Sequence, residues 1–102
     1  MATPSTYYLV PEHRTRLSED RTELIFEQHL PMVRKEDLRV EALDTSLFLN
    51  FKAEGSGPMS RCYALPYPVD PSTAFAELRD SVLTVRIRLH QPVGPGVQVE
   101  VL

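Results

Sequence analysis

Alternation of apolar and polar residues is clearest near the carboxyl end, in Val82-Leu83-Thr84-Val85-Arg86-Ile87-Arg88-Leu89. Every odd-numbered residue of this stretch is large and apolar, and three of the even-numbered ones are Thr or Arg. Successive side chains of a β-strand point to opposite faces of its sheet. The pattern therefore predicts a strand with one face packed in a core and the other turned toward water.

The same period of two recurs in shorter stretches elsewhere in the chain. Apolar residues occupy alternate positions at Leu24 and Phe26, at Leu38, Val40 and Ala42, and at Leu47, Leu49 and Phe51. Residues 59–65 and 74–78 are further strand candidates, and residues 7–10 are a possible edge strand. Most of the nine prolines fall between these runs, which suits a residue that cannot donate to a sheet ladder. We expect an all-β fold, an immunoglobulin-like β-sandwich of about seven to eight short strands.

Two short segments predict single helical turns between strands. Asp70-Pro71-Ser72-Thr73 places a capping carboxylate before a proline, which is a typical helix start. Lys35-Glu36-Asp37 is interpreted in the same way. Asp44-Thr45-Ser46 suits a hairpin turn, and Glu54-Gly55-Ser56-Gly57-Pro58 suits a short connector.

Composition limits the classes of function. The 102 residues suffice for one domain. The net charge of −3 argues against a nucleic-acid-binding domain, where a clustered basic excess is expected. The single cysteine excludes an internal disulfide and favours a reducing compartment. The first residues show no signal-peptide pattern and no stretch approaches a membrane span, so we expect a cytoplasmic location.

The residues that usually carry chemistry are dispersed. His13, His29 and His90 lie in different segments, with no spacing typical of zinc ligands. Cys62 lacks a neighbouring base, which leaves a plain strand position or an intermolecular disulfide as its interpretations. No phosphate loop or nucleophile elbow is present. We expect no catalytic residues, no metal, no cofactor and no enzymatic activity.

Two motifs about forty residues apart, with the segments between them, resemble the α-crystallin domain of the small heat-shock proteins. The first motif is Leu30-Pro31-Met32-Val33-Arg34-Lys35-Glu36-Asp37-Leu38, which is similar to the family's Leu-Pro-Gly-Val, basic and Glu-Asp sequence. The later elements, in the family's order, are Arg61, Tyr63, Leu65-Pro66, Val69-Asp70-Pro71, Ala76 and Val82-Leu83-Thr84-Val85. The likeness covers about residues 22–89. Met32 and Ser81 stand where the family has glycine; if Ser81 needs a positive φ, the strain is on the order of 1 kcal/mol, or less if Asp80 takes the strained position.

The resemblance implies sites for assembly. Bacterial and plant members carry a strand-swapping loop that the five residues 54–58 are too short to hold, so we expect no strand-swapped dimer. As in animal members, dimerisation would use the edge of the strand at residues 59–65, with Arg61 and Tyr63 as interface candidates. The tail motif would be Val97, Val99 and Val101, which would add to a groove on a neighbour by strand addition. The groove candidates are Leu38, Val40, Ala42, Ala74 and Ala76.

The resemblance also implies an ATP-independent chaperone, a holdase that binds unfolded or partly folded proteins and self-associates as a dimer or larger. We divide the chain into a short amino-terminal segment (residues 1–21), an α-crystallin-like domain (22–89) and a linker with a valine-rich tail (90–102). The alternative is a CS-domain-like co-chaperone or adaptor, or a domain that serves a larger ATPase machine. The short connector and the short amino-terminal segment favour that alternative; an enzyme would need a titratable pocket, which the sequence does not indicate.

Overall fold

The computed structural model describes residues 13–102 and contains seven strands within that range. The strands are β1 (His13–Leu17), β2 (Glu23–His29), β3 (Val33–Ala42), β4 (Ser46–Ala53), β5 (Pro58–Ala64), β6 (Phe75–Arg79) and β7 (Val82–Arg88). One 3-10 turn, Pro71–Thr73, precedes β6, and the Asp70 carboxylate caps it by accepting from the Ser72 N–H. The predicted helical turn at Asp70 is therefore confirmed.

The strands form two antiparallel sheets. One has the order β1-β2-β7-β6, and the other has the order β3-β4-β5. The all-β sandwich expected from the alternation is therefore confirmed. In the larger sheet β2 and β7 are central strands, so β1 and β6 form its two edges. In the smaller sheet β4 is central, and β3 and β5 form the edges.

The core lies between the sheets and is built from the alternating positions. The odd-numbered residues of β7 from 83 to 87 are at most 2% exposed. Leu47 and Leu49 of β4, in the other sheet, belong to the same buried core. Ile25 of β2 is an exception, because it lies on the outer face and is still only 3% exposed. The register places it between Arg16 and Arg86, whose aliphatic stems are long enough to cover it.

Two turns hold the residues that replace family glycines in the left-handed conformation. Asp80 and Ser81 have φ of 51° and 65° and form the two-residue turn between β6 and β7. Positive φ at both positions is the geometry of a type I′ hairpin. Met32, between β2 and β3, has φ of 63°. The chain therefore adopts at Met32 and Ser81 a backbone that L-residues reach only with strain.

One predicted element is wrong. Lys35-Glu36-Asp37 does not form a helical turn but belongs to β3. The register with β4 shifts there: Val33 pairs with Ala53 and Leu38 with Phe51, so residues 34–37 oppose residue 52 alone. A bulge of this kind bends the strand without ending it. The edge strand expected at residues 7–10 lies outside the described residues, and β1, which pairs with β2, was not predicted.

Candidate functional site

The edge strand β5 carries the two candidates for a dimer interface. Arg61 and Tyr63 pair in register with Leu49 and Leu47, so both lie on the inward-facing side of the strand. Both are half-buried, whereas Cys62 between them is exposed on the outer face. Within residues 13–102, β5 pairs only with β4. Its second edge therefore presents backbone groups that are available to another strand.

Tyr63 links the two sheets at this edge. Its hydroxyl donates a 2.7 Å hydrogen bond to Oε1 of Gln28, a β2 residue that is only 2% exposed. Its ring lies 4.9 Å from that of Phe26 and 4.5 Å from that of His13, measured between centroids. Burial raises the pKa of the Tyr63 phenol, and the positive charge of Arg61 opposes that shift. Tyr63 thus acts mainly as a bridge within the domain, and Arg61 is the more available of the pair.

The groove candidates lie at the other edges of the two sheets. Because Tyr63 places β5 over β1 and β2, the opposite edge of the small sheet, β3, lies on the side of β7 and β6. The inward residues of β3 pack on the core but remain half-buried; they are Leu38, Val40 and Ala42. Ala76 of β6 is exposed, and Ala74 is exposed beside it, just after the 3-10 turn. Four of the candidates thus lie on the edge strands β3 and β6 on one side of the sandwich, and Ala74 directly precedes β6.

The tail makes no strand within the described part of the chain. Val97, Val99 and Val101 are 89%, 77% and 91% exposed, and residues 97–102 have no sheet partner there. Alternating valines favour an extended strand, yet within residues 13–102 no strand pairs with these. The structure therefore leaves the tail motif available to another molecule.

The segment before the tail is attached to the domain. The Val93 N–H donates to the carbonyl of Arg21 over 3.1 Å, and Nη1 of Arg21 donates to the carbonyl of Gly94 over 2.8 Å. Val93 also packs against the core. This attachment could not be predicted from the sequence, because Arg21 and Gly94 are 73 residues apart and neither belongs to a recognisable motif.

The outer face of the large sheet is covered by charged pairs. Glu27 lies 3.6 Å from both Arg14 and Arg16, and Glu23 lies 3.3 Å from Arg86. Exposed pairs of this kind contribute little stability. They cover the outer face with charge, so this face presents little apolar surface to a binding partner. Among residues 13–102 no three potential ligands from His, Cys, Asp and Glu cluster as a metal site would need. No helix in that range is long and apolar enough to cross a membrane.

Comparison with known proteins gives matches in structure only. No family model and no curated sequence matches the chain. Heat shock protein 16.0 from Schizosaccharomyces pombe is similar with a TM-score of 0.74 and 20% identity, over 92% of this chain and 99% of that one. HspA from Xanthomonas axonopodis is similar with a TM-score of 0.67 and 19% identity, over 81% of this chain and 96% of that one. The Del-C4 mutant of Hsp14.1 from Sulfolobus solfatataricus P2 has a TM-score of 0.68 and 21% identity, over 82% of this chain and 78% of that one.

These likenesses establish the architecture. The chain has the α-crystallin fold of the small heat-shock proteins, as its two motifs indicated. At about one-fifth identity, a shared fold does not by itself carry a shared activity.

Proposed function

We propose that this protein is an ATP-independent chaperone, a holdase that binds partly unfolded proteins and keeps them from aggregating. The observation that supports it best is the combination of an α-crystallin fold with sheet edges that are unpaired within residues 13–102 and a largely exposed valine tail. Partly unfolded proteins expose apolar segments and unpaired strands, and both can be held by strand addition to such edges. Such binding needs no catalytic group, metal or nucleotide. We also propose that the protein acts in the cytoplasm.

The tail would join domains into assemblies. We propose that the valines at positions 97, 99 and 101 enter the groove between β3 and β6 of a second copy. Main-chain hydrogen bonds to an edge strand would supply affinity, and the alternate valines would fill the spaces beside the half-buried Leu38, Val40 and Ala42. Full burial of a valine side chain contributes roughly 1.5–3 kcal/mol. Three such residues are enough to offset part of the entropy cost of association.

A dimer would form at the other side of the sandwich. We propose that β5 pairs with β5 of a second copy and that Arg61 lies in that interface. The connector between β4 and β5 spans only residues 54–57, which is too short for a strand that exchanges between subunits. Tyr63 would support the interface indirectly, by holding β5 against β2.

A light-scattering assay tests the holdase proposal. The full chain is added without ATP to a client that aggregates on heating, at about one subunit per client. Suppression of scattering supports a holdase. As a matched variant, Val97→Asp/Val99→Asp/Val101→Asp should dissociate the assemblies while leaving the fold intact, because the three valines are 77% to 91% exposed. A folded protein that does not suppress aggregation would overturn the holdase proposal.

An adaptor role is the second candidate, and the short connector favours it. Without an exchanged strand, fewer contacts are available for large assemblies. An adaptor would be a monomer or simple dimer, would not act on generic clients, and would retain one specific partner in a pull-down. Mass measurement by light scattering separates the two, because the holdase proposal requires assemblies larger than a dimer.

A further inference from the structure

The chain is held against its own domain between the end of β7 and the tail. After β7, the Leu89 N–H donates to the carbonyl of Thr22, and the Val93 N–H donates to that of Arg21. The guanidinium of Arg21 then donates to the carbonyl of Gly94 over 2.8 Å. The turn between β1 and β2 thus holds this segment at three points. We call the contacts of Arg21 with Val93 and Gly94 the clasp.

Arg21 is itself held in place by its turn. Its φ is 60°, a conformation that costs a non-glycine residue free energy and needs local support. Ser18 Oγ accepts from the backbone N–H of Thr22 and of Glu23, and Asp20 accepts from the Ser18 and Thr22 hydroxyls. These hydrogen bonds also hold the pKa of Asp20 below its usual value. The turn therefore presents the guanidinium from a fixed backbone.

We infer that Arg21 is a positioning residue for the tail: the clasp sets where the tail leaves the domain and directs it to a neighbouring copy. This inference rests on the tail-to-groove assembly proposed above. With the clasp closed, Val97 lies three steps along the chain from Gly94, a reach of about 10 Å. The His90 N–H donates to the carbonyl of Pro68, so a segment free beyond His90 would give Val97 a reach of about 23 Å.

That difference in reach changes how easily the tail can turn back into its own groove. β6, which borders the groove, lies two strands beyond β2 in the same sheet, or about 10 Å away. In the clasped structure all three valines are exposed, so the tail leaves the domain without entering its own groove. A longer free segment would let the tail enter its own groove at a high effective concentration and compete with neighbours. The clasp thus favours contacts between copies over self-occupation.

Arg21→Gly in the full chain tests the inference. Glycine accepts the positive φ, so the turn is kept while the guanidinium is lost. The variant loses the contact with Gly94, whereas the Val93 N–H keeps its partner, the backbone carbonyl of residue 21. Because the remaining contact stands alone, we expect exchange of the Val93 amide hydrogen to accelerate and the mean mass of the assemblies to fall by about twofold or more. At a concentration where the wild type has dissociated, a labelled peptide of residues 95–102 should bind the variant about threefold or more weakly, because the variant's own tail occupies the groove.

Two controls make the outcome specific. Arg88→Thr removes an arginine from the outer face of β7, where Arg88 makes no ion pair within residues 13–102, and it should leave both mass and peptide affinity unchanged. The full-length Val97→Asp/Val99→Asp/Val101→Asp variant has an empty groove and should bind the peptide. If it does not, the tail-to-groove proposal and the clasp both fail. If it does, and Arg21→Gly keeps wild-type mass and affinity, the clasp alone is overturned.

Discussion

β7 and the tail carry the same alternation of valine or other apolar residues with polar ones, yet they lie in opposite environments. Val85 of β7 is fully buried, and Val97 of the tail is 89% exposed. β7 has neighbours on both edges, β2 and β6, whereas the tail follows a segment interrupted by Pro92 and Pro95. The comparison teaches that alternation specifies an extended conformation and a pair of faces. Burial depends on whether a paired edge and a facing sheet are within reach.

The largest expected effect comes from placing a charge in each of the two stretches. Val85→Asp puts a carboxylate between the sheets with no partner, at a cost of more than about 4 kcal/mol. We expect no cooperative thermal unfolding transition for this variant. Val99→Asp, the same change in the tail, should alter the free energy of unfolding by less than about 0.5 kcal/mol, while it weakens assembly.

Circular dichroism melts at a concentration where the wild type has dissociated provide the comparison. Dissociation matters because assembly would stabilise the wild type by mass action. If Val99→Asp lowered the melting temperature of the separate domain as much as a core substitution does, the tail would have to pack within its own domain. That outcome would contradict the difference between β7 and the tail.

The alternation made most of the fold predictable, and the exceptions have physical causes. β7 alternates cleanly because it packs one face on the core, and β4 does so except at Phe48, which is apolar on the outer face. β1 was missed because its inward positions include His13 and Thr15, which are not apolar, and its outward ones are Arg14 and Arg16. Only pairing with β2 identifies it as a strand.

The sites were predictable to different degrees. Motif order indicated the positions of Arg61, the tail valines and the groove residues, but their roles in assembly stay predictions. The bulge at residues 34–37 could not be predicted, since it is defined by a mismatch with β4 that the sequence of β3 alone does not contain. The clasp likewise joins Arg21 to Gly94 across 73 residues and leaves no local pattern.

β5 is intermediate between β7 and the tail, because it is paired on one edge only. Its attachment across the sandwich depends on the hydrogen bond from Tyr63 to buried Gln28. Tyr63→Phe keeps the ring contacts with Phe26 and His13 and removes this bond, which should lower the free energy of unfolding by about 1–3 kcal/mol. Urea denaturation of the dissociated chain measures this change in the free energy of unfolding.

A matched change on the exposed face of the same strand is Cys62→Ser. We expect it to alter the free energy of unfolding by less than about 0.5 kcal/mol. If Tyr63→Phe were as stable as the wild type, the hydrogen bond to Gln28 would contribute nothing, and the ring contacts with Phe26 and His13 would hold β5 across the sandwich.

The smallest expected effect concerns how β7 begins. Ser81 has φ of 65°, and its carbonyl accepts a 2.7 Å hydrogen bond from the Leu30 N–H. Ser81→Gly should therefore relieve strain, but glycine also has more freedom to lose on folding, so we expect a net gain of about 0.5 kcal/mol. Ser81→Ala keeps the strain and should not gain stability. If glycine gave no gain over alanine in urea denaturation, the positive φ of Ser81 would cost no measurable stability, and β7 would be held by its two ladders and its core packing.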